Sequence, residues 1–284
     1  MHSEHIILDG KKLAIQLQNI LAKEIARLPA SPTLAVVVIG DNPASAIYVR
    51  NKEKAAQKVG IKCIVLKFAE DITQQELEIQ IKQLNLSNEI NGIIIQQPVP
   101  QHLDILKLLT LIHPQKDVDG FSPLNLGLLT MGDTQAIKAA TPKGIMRLLQ
   151  ETGISLSGKN AIVIGRSNIV GKPMAQMLLQ ADCTVTIAHS KTQNLYLLVK
   201  QADIVVAACG VPYLVKADWI KNGAIVIDVG INKINGKLCG DVDFEAVKNK
   251  VSYITPVPGG VGPMTVTMLL QNTYEAFIRQ NCKQ

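Results

Sequence analysis

Aromatic residues make up only 4% of this 284-residue chain, and its charge, 29 Lys+Arg against 23 Asp+Glu for a formal net of +6, includes no basic run. Nucleic-acid binding, which favours a clustered basic stripe with interleaved aromatics, is not the expected function. The mild positive excess suits a small anionic ligand instead. Cysteine is sparse: Cys63, Cys183, Cys209, Cys239 and Cys282 are scattered, with no CxxC pair and no Cys/His metal spacing. Reduced thiols and no metal are expected. No stretch reaches the ~20 apolar residues needed to span a bilayer. The opening MHSEHIILDGKKLA puts acidic and polar residues ahead of any apolar segment, unlike a secretory signal. A cytoplasmic protein with no membrane partner is the expectation.

With 47% hydrophobic residues, the chain can bury the cores of two ordinary domains. Short β-branched runs alternate with helical patterns: LAVVVI (34–39), IKCIVLKF (61–68), GIIIQ (92–96), AIVIG (161–165), TVTIA (184–188), DIVVAAC (203–209) and AIVIDV (224–229). Such runs read as parallel strands with crossover helices, hence an α/β fold. Asn42-Pro43 caps a helix that Gly60 ends, and Thr73 with Glu76 forms a capping box. Strand signals fade over KDVDGFSPLNLGLLTMGD, and a new helix starts at Thr141-Pro142. The domain boundary is therefore placed at 140/141. The last apolar helix, roughly 264–280, could join either half.

In the second half, AIVI runs into Gly165-Arg166-Ser167-Asn168-Ile169-Val170-Gly171-Lys172-Pro173 and then a helix. Doubly wound folds present backbone N–H groups and a helix dipole to phosphate at such a place. Against the GxGxxG pattern, Ser167 holds the third position and the last glycine arrives one residue late. The plainer alternative is a glycine-shaped strand-to-helix turn. A Walker A loop is excluded, because Pro173 stands where its hydroxyl residue belongs. The next strand ends in Ala188-His189-Ser190-Lys191-Thr192, without the carboxylate that usually binds the ribose of NAD. Arg166 and Ser190 can instead neutralise and hydrogen-bond a 2′-phosphate, which favours NADP. The plainer reading of Ser190 is a helix N-cap.

In the first half, Tyr48 and Lys52 stand four apart on a capped helix and so share one face, a geometry suited to a proton relay. Taken alone, such a lysine is usually a solvated charge. Gln96-Gln97-Pro98-Val99-Pro100 follows a strand directly, and Asp117-Val118-Asp119-Gly120 precedes the boundary. Gln96 can donate and accept, and Asp119 can accept from a polar ring edge; a strand cap and an Asx turn are their plainer readings. The dense run Pro256-Val257-Pro258-Gly259-Gly260-Val261-Gly262-Pro263-Met264-Thr265 reads as a rigid loop that lets backbone approach a ligand closely.

Together, GDNPASAIYVRNK, IQQPVP, KDVDGF, TPKG, GRSNIVGKP, HSKT and TPVPGGVGPMT occur in the order and near the spacing of one family. Across essentially its whole length the sequence resembles bifunctional methylenetetrahydrofolate dehydrogenase/methenyltetrahydrofolate cyclohydrolase. The resemblance implies a homodimeric enzyme of one-carbon metabolism, which serves purine, methionine and histidine synthesis. Each subunit would hold a catalytic folate domain (1–140, with a helix at about 266–284 packing back), a Rossmann-like NADP domain (141–265) and a cleft between them. It implies Lys52 as acid/base, Tyr48 stacking on or orienting the pterin, Gln96 positioning Lys52, and Asp119 binding the pterin edge. It further implies NADP contacts from Gly165, Arg166, Ser167, Ser190 and Ile231, and a folate-flanking loop at Pro258, Gly259 and Gly260. Two residues depart from the family's pattern. Gln97, where leucine is usual, could alter the polarity of the folate pocket, and Cys209, which interrupts a small-residue turn, could make NADP binding sensitive to oxidation; the sequence carries no evidence for either effect. The rival readings are a member with one activity, a silent NADP-binding regulator, and a shikimate-type dehydrogenase.

Overall fold

The computed structural model describes residues 6–281; Cys282 and the expected last residues of the C-terminal helix lie outside them. In chain order the first elements are β1 (Ile6–Ile7), α1 (Gly10–Ile25), β2 (Thr33–Ile39), α2 (Pro43–Val59), β3 (Lys62–Phe68), α3 (Gln74–Leu86), β4 (Gly92–Ile95), α4 (Ile105–Leu111), α5 (Pro123–Thr130) and α6 (Ala140–Gln150). There follow β5 (Asn160–Ile164), α7 (Gly171–Gln180), β6 (Thr184–Ala188), α8 (Leu195–Gln201), β7 (Ile204–Ala207), β8 (Ile225–Asp228), β9 (Asn232–Ile234), β10 (Lys237–Cys239), α9 (Phe244–Val247), β11 (Tyr253–Ile254) and α10 (Val261–Asn281).

The chain divides into two compact units. One comprises Ile15–Ala140 together with the chain from Val266 onward; the other comprises Thr141–Thr265 with the residues up to Ala14. The sequence division gave residues 1–14 to the first unit. Described residues 6–14 cluster with the second because β1 pairs in parallel with β11, Ile6 opposite Tyr253. A two-residue strand carries too little periodicity to be read from sequence.

In the first unit, a parallel sheet of order β3-β2-β4 is built on a central strand whose seven residues are all buried. Its apolar run has no alternation because both faces are covered. Val37, Ile39, Ile93 and Ile95 pack with Leu77 and Ile81 of α3 and Leu108 of α4. Helix α3 starts at the capping box, where Thr73 Oγ1 accepts from Glu76 N and Glu76 Oε2 accepts from Thr73 N. Beyond its end, Lys116 Nζ donates to the carbonyls of Leu84, Asn85 and Ser87 at 3.2, 2.8 and 2.7 Å. Burial lowers the pKa of this lysine, and the three acceptors compensate its charge. Lys116→Met is expected to destabilise the protein by about 2–4 kcal/mol, because it removes charge-assisted bonds and orphans the carbonyls. Urea unfolding checks this; a loss under about 0.5 kcal/mol, the scale of a neutral surface change, would contradict it.

The described part of α10 from Val266 on belongs to this unit. Asn272 Nδ2 donates to the carbonyls of Val118 and Lys138 (2.8 and 2.9 Å), and Arg279 reaches the Gln135 carbonyl at 2.7 Å.

The second unit holds a six-stranded parallel sheet of order β1-β11-β8-β7-β5-β6. From β5 the chain steps to one side for β6 and to the other for β7. This reversal opens a crevice at the carboxyl ends of β5 and β7, the ligand position of open α/β sheets. The first unit repeats the device, since β3 and β4 flank β2. Among the described residues, no helix is long and apolar enough to cross a membrane.

Candidate active site

In the first unit, Asn42 opens α2 by accepting from Ser45 N. The helix carries Tyr48, 46% exposed, one turn before half-buried Lys52. Lys52 Nζ donates to Gln96 Oε1 at 2.9 Å, and Gln96 Nε2 donates to the Gln97 carbonyl at 2.7 Å. The two bonds fix the Gln96 amide with its oxygen toward the lysine. Gln96 follows β4 directly, and its own N–H bonds the Val37 carbonyl of β2 at 2.8 Å. The pair therefore sits where β2 and β4 end, at this sheet's reversal point.

The two aspartates of the DVDG segment have different tasks. Asp117 is 1% exposed; it accepts from Phe121 N, Ser122 N and Asn125 Nδ2, and so builds the turn. The turn-building role belongs to Asp117, through N–H groups four and five residues on. Asp119, two residues on and half-buried, is left for other chemistry. Burial pushes its carboxyl up to about 6; the positive charge of Lys52 opposes that shift and Asp117 adds to it. The segment is tied to β4 by Ile93 N bonding the Lys116 carbonyl at 2.7 Å. Gly120 takes φ +72, where a Cβ would lie 2.6 Å from Ala139 N. Tyr48, Lys52, Gln96 and Asp119 thus all belong to one unit, and Lys52 has an electrostatic or hydrogen-bonding link to both Gln96 and Asp119.

In the second unit, Gly165 ends β5 at φ +134, and a Cβ on it would penetrate the Ala208 carbonyl after β7. A Cβ on Gly171 would penetrate the Gly165 carbonyl, so both glycines are required for the loop to lie flat on the sheet edge. Ser167 Oγ accepts from Val170 N and Gly171 N (3.2 and 3.3 Å), which closes the turn into α7. Arg166 stands exposed. After β6, His189 N donates to Thr192 Oγ1 and Lys191 N to His189 Nδ1, so Ser190 lies exposed at the tip of a tight turn. The N-cap reading of Ser190 is overturned: α8 begins only after Asn194. Ile231, 51% exposed, follows Gly230 beyond β8. A loop that admits no Cβ and a β6 exit without a carboxylate fit a dinucleotide carrying a 2′-phosphate.

At the Pro/Gly-rich loop the chain makes a close approach to itself that Gly10 permits: a Cβ on Gly10 at the start of α1 would penetrate the Gly260 carbonyl, and Lys11 N donates to the Gly259 carbonyl at 2.8 Å. The surroundings of Cys209 oppose oxidation of its thiol. Its thiol donates to Asp241 Oδ2 at 3.4 Å, and burial, reinforced by Asp241, pushes it up to about 11, which disfavours the reactive thiolate. Sequence reading missed the two carboxylates behind this loop, Asp228 and Asp241, 3% and 0% exposed. Their signal in the sequence was an acidic residue ending an apolar strand in IVIDVG, with Gly230 two residues after Asp228 and Gly240 directly before Asp241. Among the described residues no group of three or more His, Cys, Asp or Glu could hold a metal ion.

Residues 8–119 match the family model described as the tetrahydrofolate dehydrogenase/cyclohydrolase catalytic domain, and residues 139–281 match the NAD(P)-binding domain of the same family. The chain is 53% identical over 278 residues to the bifunctional protein FolD of Streptococcus pneumoniae serotype 4, covering 96% of this chain and 97% of that protein. The crystal structure of the FolD methylenetetrahydrofolate dehydrogenase/cyclohydrolase of Campylobacter jejuni superposes with TM-score 0.96 at 46% identity, covering 97% and 99% of the two chains. That of Trypanosoma brucei, solved with NADP cofactor and an inhibitor, gives 0.93 at 39% identity over 97% and 98%. With both halves matched in order and nearly full-length relatives at this identity, the chain belongs to the tetrahydrofolate dehydrogenase/cyclohydrolase family.

Proposed function

We propose that the protein oxidises 5,10-methylenetetrahydrofolate with NADP⁺ and hydrolyses the methenyl product to 10-formyltetrahydrofolate, with Lys52 as the acid/base of the hydrolysis. The observation that carries this reading is the Lys52–Gln96 bond of 2.9 Å at the reversal point of the first sheet. Bound NADP⁺ supplies the hydride acceptor. Gly165 and Ser167 would hold its phosphates by backbone, Arg166 and Ser190 its 2′-phosphate, and Ile231 a further part by backbone. Homodimerisation and a cytoplasmic place in one-carbon metabolism complete the reading and rest on the family resemblance.

Gln96 aims the lysine and Tyr48 flanks the pterin on the same helix face. In the hydrolytic step, water oxygen bonds to the cationic methenyl carbon, and one water proton passes to the amine form of Lys52. The same proton returns to N5 as the C–N5 bond breaks, and the remaining hydroxyl proton leaves to solvent as the formyl C=O forms. One positioned base that becomes an acid serves both transfers. Pro258, Gly259 and Gly260 would flank the folate from the glycine-rich loop.

Asp119 accepts from the N–H edge of the pterin, most strongly in its ionised form, in which both oxygens accept. As pH falls through about 6 the carboxyl takes a proton, loses its charge and turns one acceptor oxygen into a donor. The KM for the folate is therefore expected to climb below that pH, approaching about tenfold per pH unit, the limit for one titrating group. Asp119→Asn should show a raised KM with this pH dependence removed. Steady-state cyclohydrolase kinetics across the window check it, and a variant profile that kept the wild-type slope would contradict the assignment.

A further inference from the structure

Two buried carboxylates stand behind the dinucleotide loops without reaching the surface. Asp241 Oδ2 accepts from the consecutive N–H groups of Cys209 and Gly210 at 2.8 and 2.9 Å, and its Oδ1 accepts from Asn232 Nδ2 at 2.9 Å. Asp228 accepts from Gly230 N, Asp241 N and Val242 N at 3.0, 2.9 and 3.0 Å. Its own N–H donates to Thr255 Oγ1 at 2.7 Å. Ile231 is thus bracketed: the residue before it is held by Asp228 and the residue after it by Asp241. On the other side, Cys209 and Gly210 continue from Ala208, the residue whose carbonyl abuts Gly165. The glycines follow from the same packing, since a Cβ on Gly240 would penetrate the Asp228 carboxyl and one on Gly230 the Asp241 carboxyl.

We propose that Asp241, backed by Asp228, is a positioning residue for the dinucleotide: it locks the loop after β7, against which Gly165 rests, to the loop after β8, which presents Ile231. This inference rests on the NADP site proposed above and adds to it a residue that touches no ligand. One carboxylate joins the two halves of that site, so removing an acceptor there should loosen both together. Asp241→Asn leaves the volume unchanged but turns one acceptor oxygen into a donor facing N–H groups that are already donors.

The test compares the full-length wild type with Asp241→Asn and Asn232→Ala, measuring the KM for NADP⁺ in the dehydrogenase reaction. Hydrolysis of methenyltetrahydrofolate, which needs no hydride acceptor, is measured alongside without nucleotide. For Asp241→Asn we expect NADP⁺ KM to rise at least tenfold with cyclohydrolase turnover within about twofold of wild type. Asn232→Ala, which removes a single bond on the half-buried side, should raise NADP⁺ KM about threefold to tenfold, and it decides the matter if Asp241→Asn does not fold. Unchanged NADP⁺ KM in a folded Asp241→Asn, or in Asn232→Ala should that variant not fold, would overturn the inference, as would a parallel fall of both activities. If the wild type itself showed no saturable dependence on NADP⁺, the underlying site assignment would fall, and this inference with it.

Discussion

Lys52→Met is expected to lower cyclohydrolase turnover by roughly 10²–10⁴-fold, the range associated with a positioned general acid/base. The substitution keeps the length of the side chain and removes its only proton-carrying atom. Gln96 then loses the donor that its oxygen faces at 2.9 Å, and Asp119 loses the positive charge that opposes its upward shift. The protein should remain folded, because Lys52 lies half-buried on a helix whose packing comes from other residues, such as Val49, Ala56 and Val59. NADP⁺ binding should be retained, since the residues proposed for it belong to the other compact unit. Hydrolysis is followed with the methenyl substrate alone, against a buffer control for the uncatalysed reaction. A variant hydrolysing at the wild-type rate would remove Lys52 from the mechanism.

The second large effect is expected at Gly165→Ala. Its φ of +134 lies in a region essentially reserved for glycine, and the new methyl would penetrate the Ala208 carbonyl, which is itself fixed by Ala208 N bonding the Ile164 carbonyl at 2.8 Å. Backbone strain of about 1–3 kcal/mol and a similar overpacking cost give roughly 2–6 kcal/mol. That is a large share of the ~5–15 kcal/mol by which ordinary domains are stable. The β5 and β7 loops must separate or the unit must partly unfold, and either result removes the flat edge on which a dinucleotide would lie. We expect a lower melting temperature and an NADP⁺ KM raised more than tenfold, with hydrolysis of the methenyl compound much less affected. Wild-type melting and wild-type NADP⁺ dependence together would show that the loop tolerates a side chain and that the cradle is not required.

The alternating apolar runs made the parallel strands legible because fully buried strands carry no polar faces to confuse the period; β2 and β4 are buried at every position. Helix starts were legible where a side chain closes the cap locally, as at Thr73 and Glu76. Elements of two or three residues were not. Strands β1 and β11 owe their existence to partners distant in sequence, such as Ile7 opposite Ile254, and the β9–β10 hairpin, though local, is too short to show a period. The same limit governs the site. Tyr48 and Lys52 share a helix turn, so their common face could be read directly, but Gln96 lies 44 residues from Lys52 and only the closed sheet brings them together. In DVDG the sequence placed Asp117 and Asp119 two residues apart, with Asp119 as the candidate; only the closed fold shows why, since three N–H donors occupy Asp117 and leave Asp119 available. The Asp228–Asp241 network escaped reading altogether, since its bonds join three loops and its glycines resemble ordinary turn residues.

The account is tested most directly by mixing the enzyme with 5,10-methylenetetrahydrofolate and NADP⁺ and following NADPH and the methenyl compound by absorbance in the same reaction. It predicts NADPH formation followed by methenyl decay to 10-formyltetrahydrofolate faster than in buffer, with Lys52→Met losing the accelerated decay. Methenyl accumulation that decays at the uncatalysed rate in the wild type, or no NADPH at all, would contradict it.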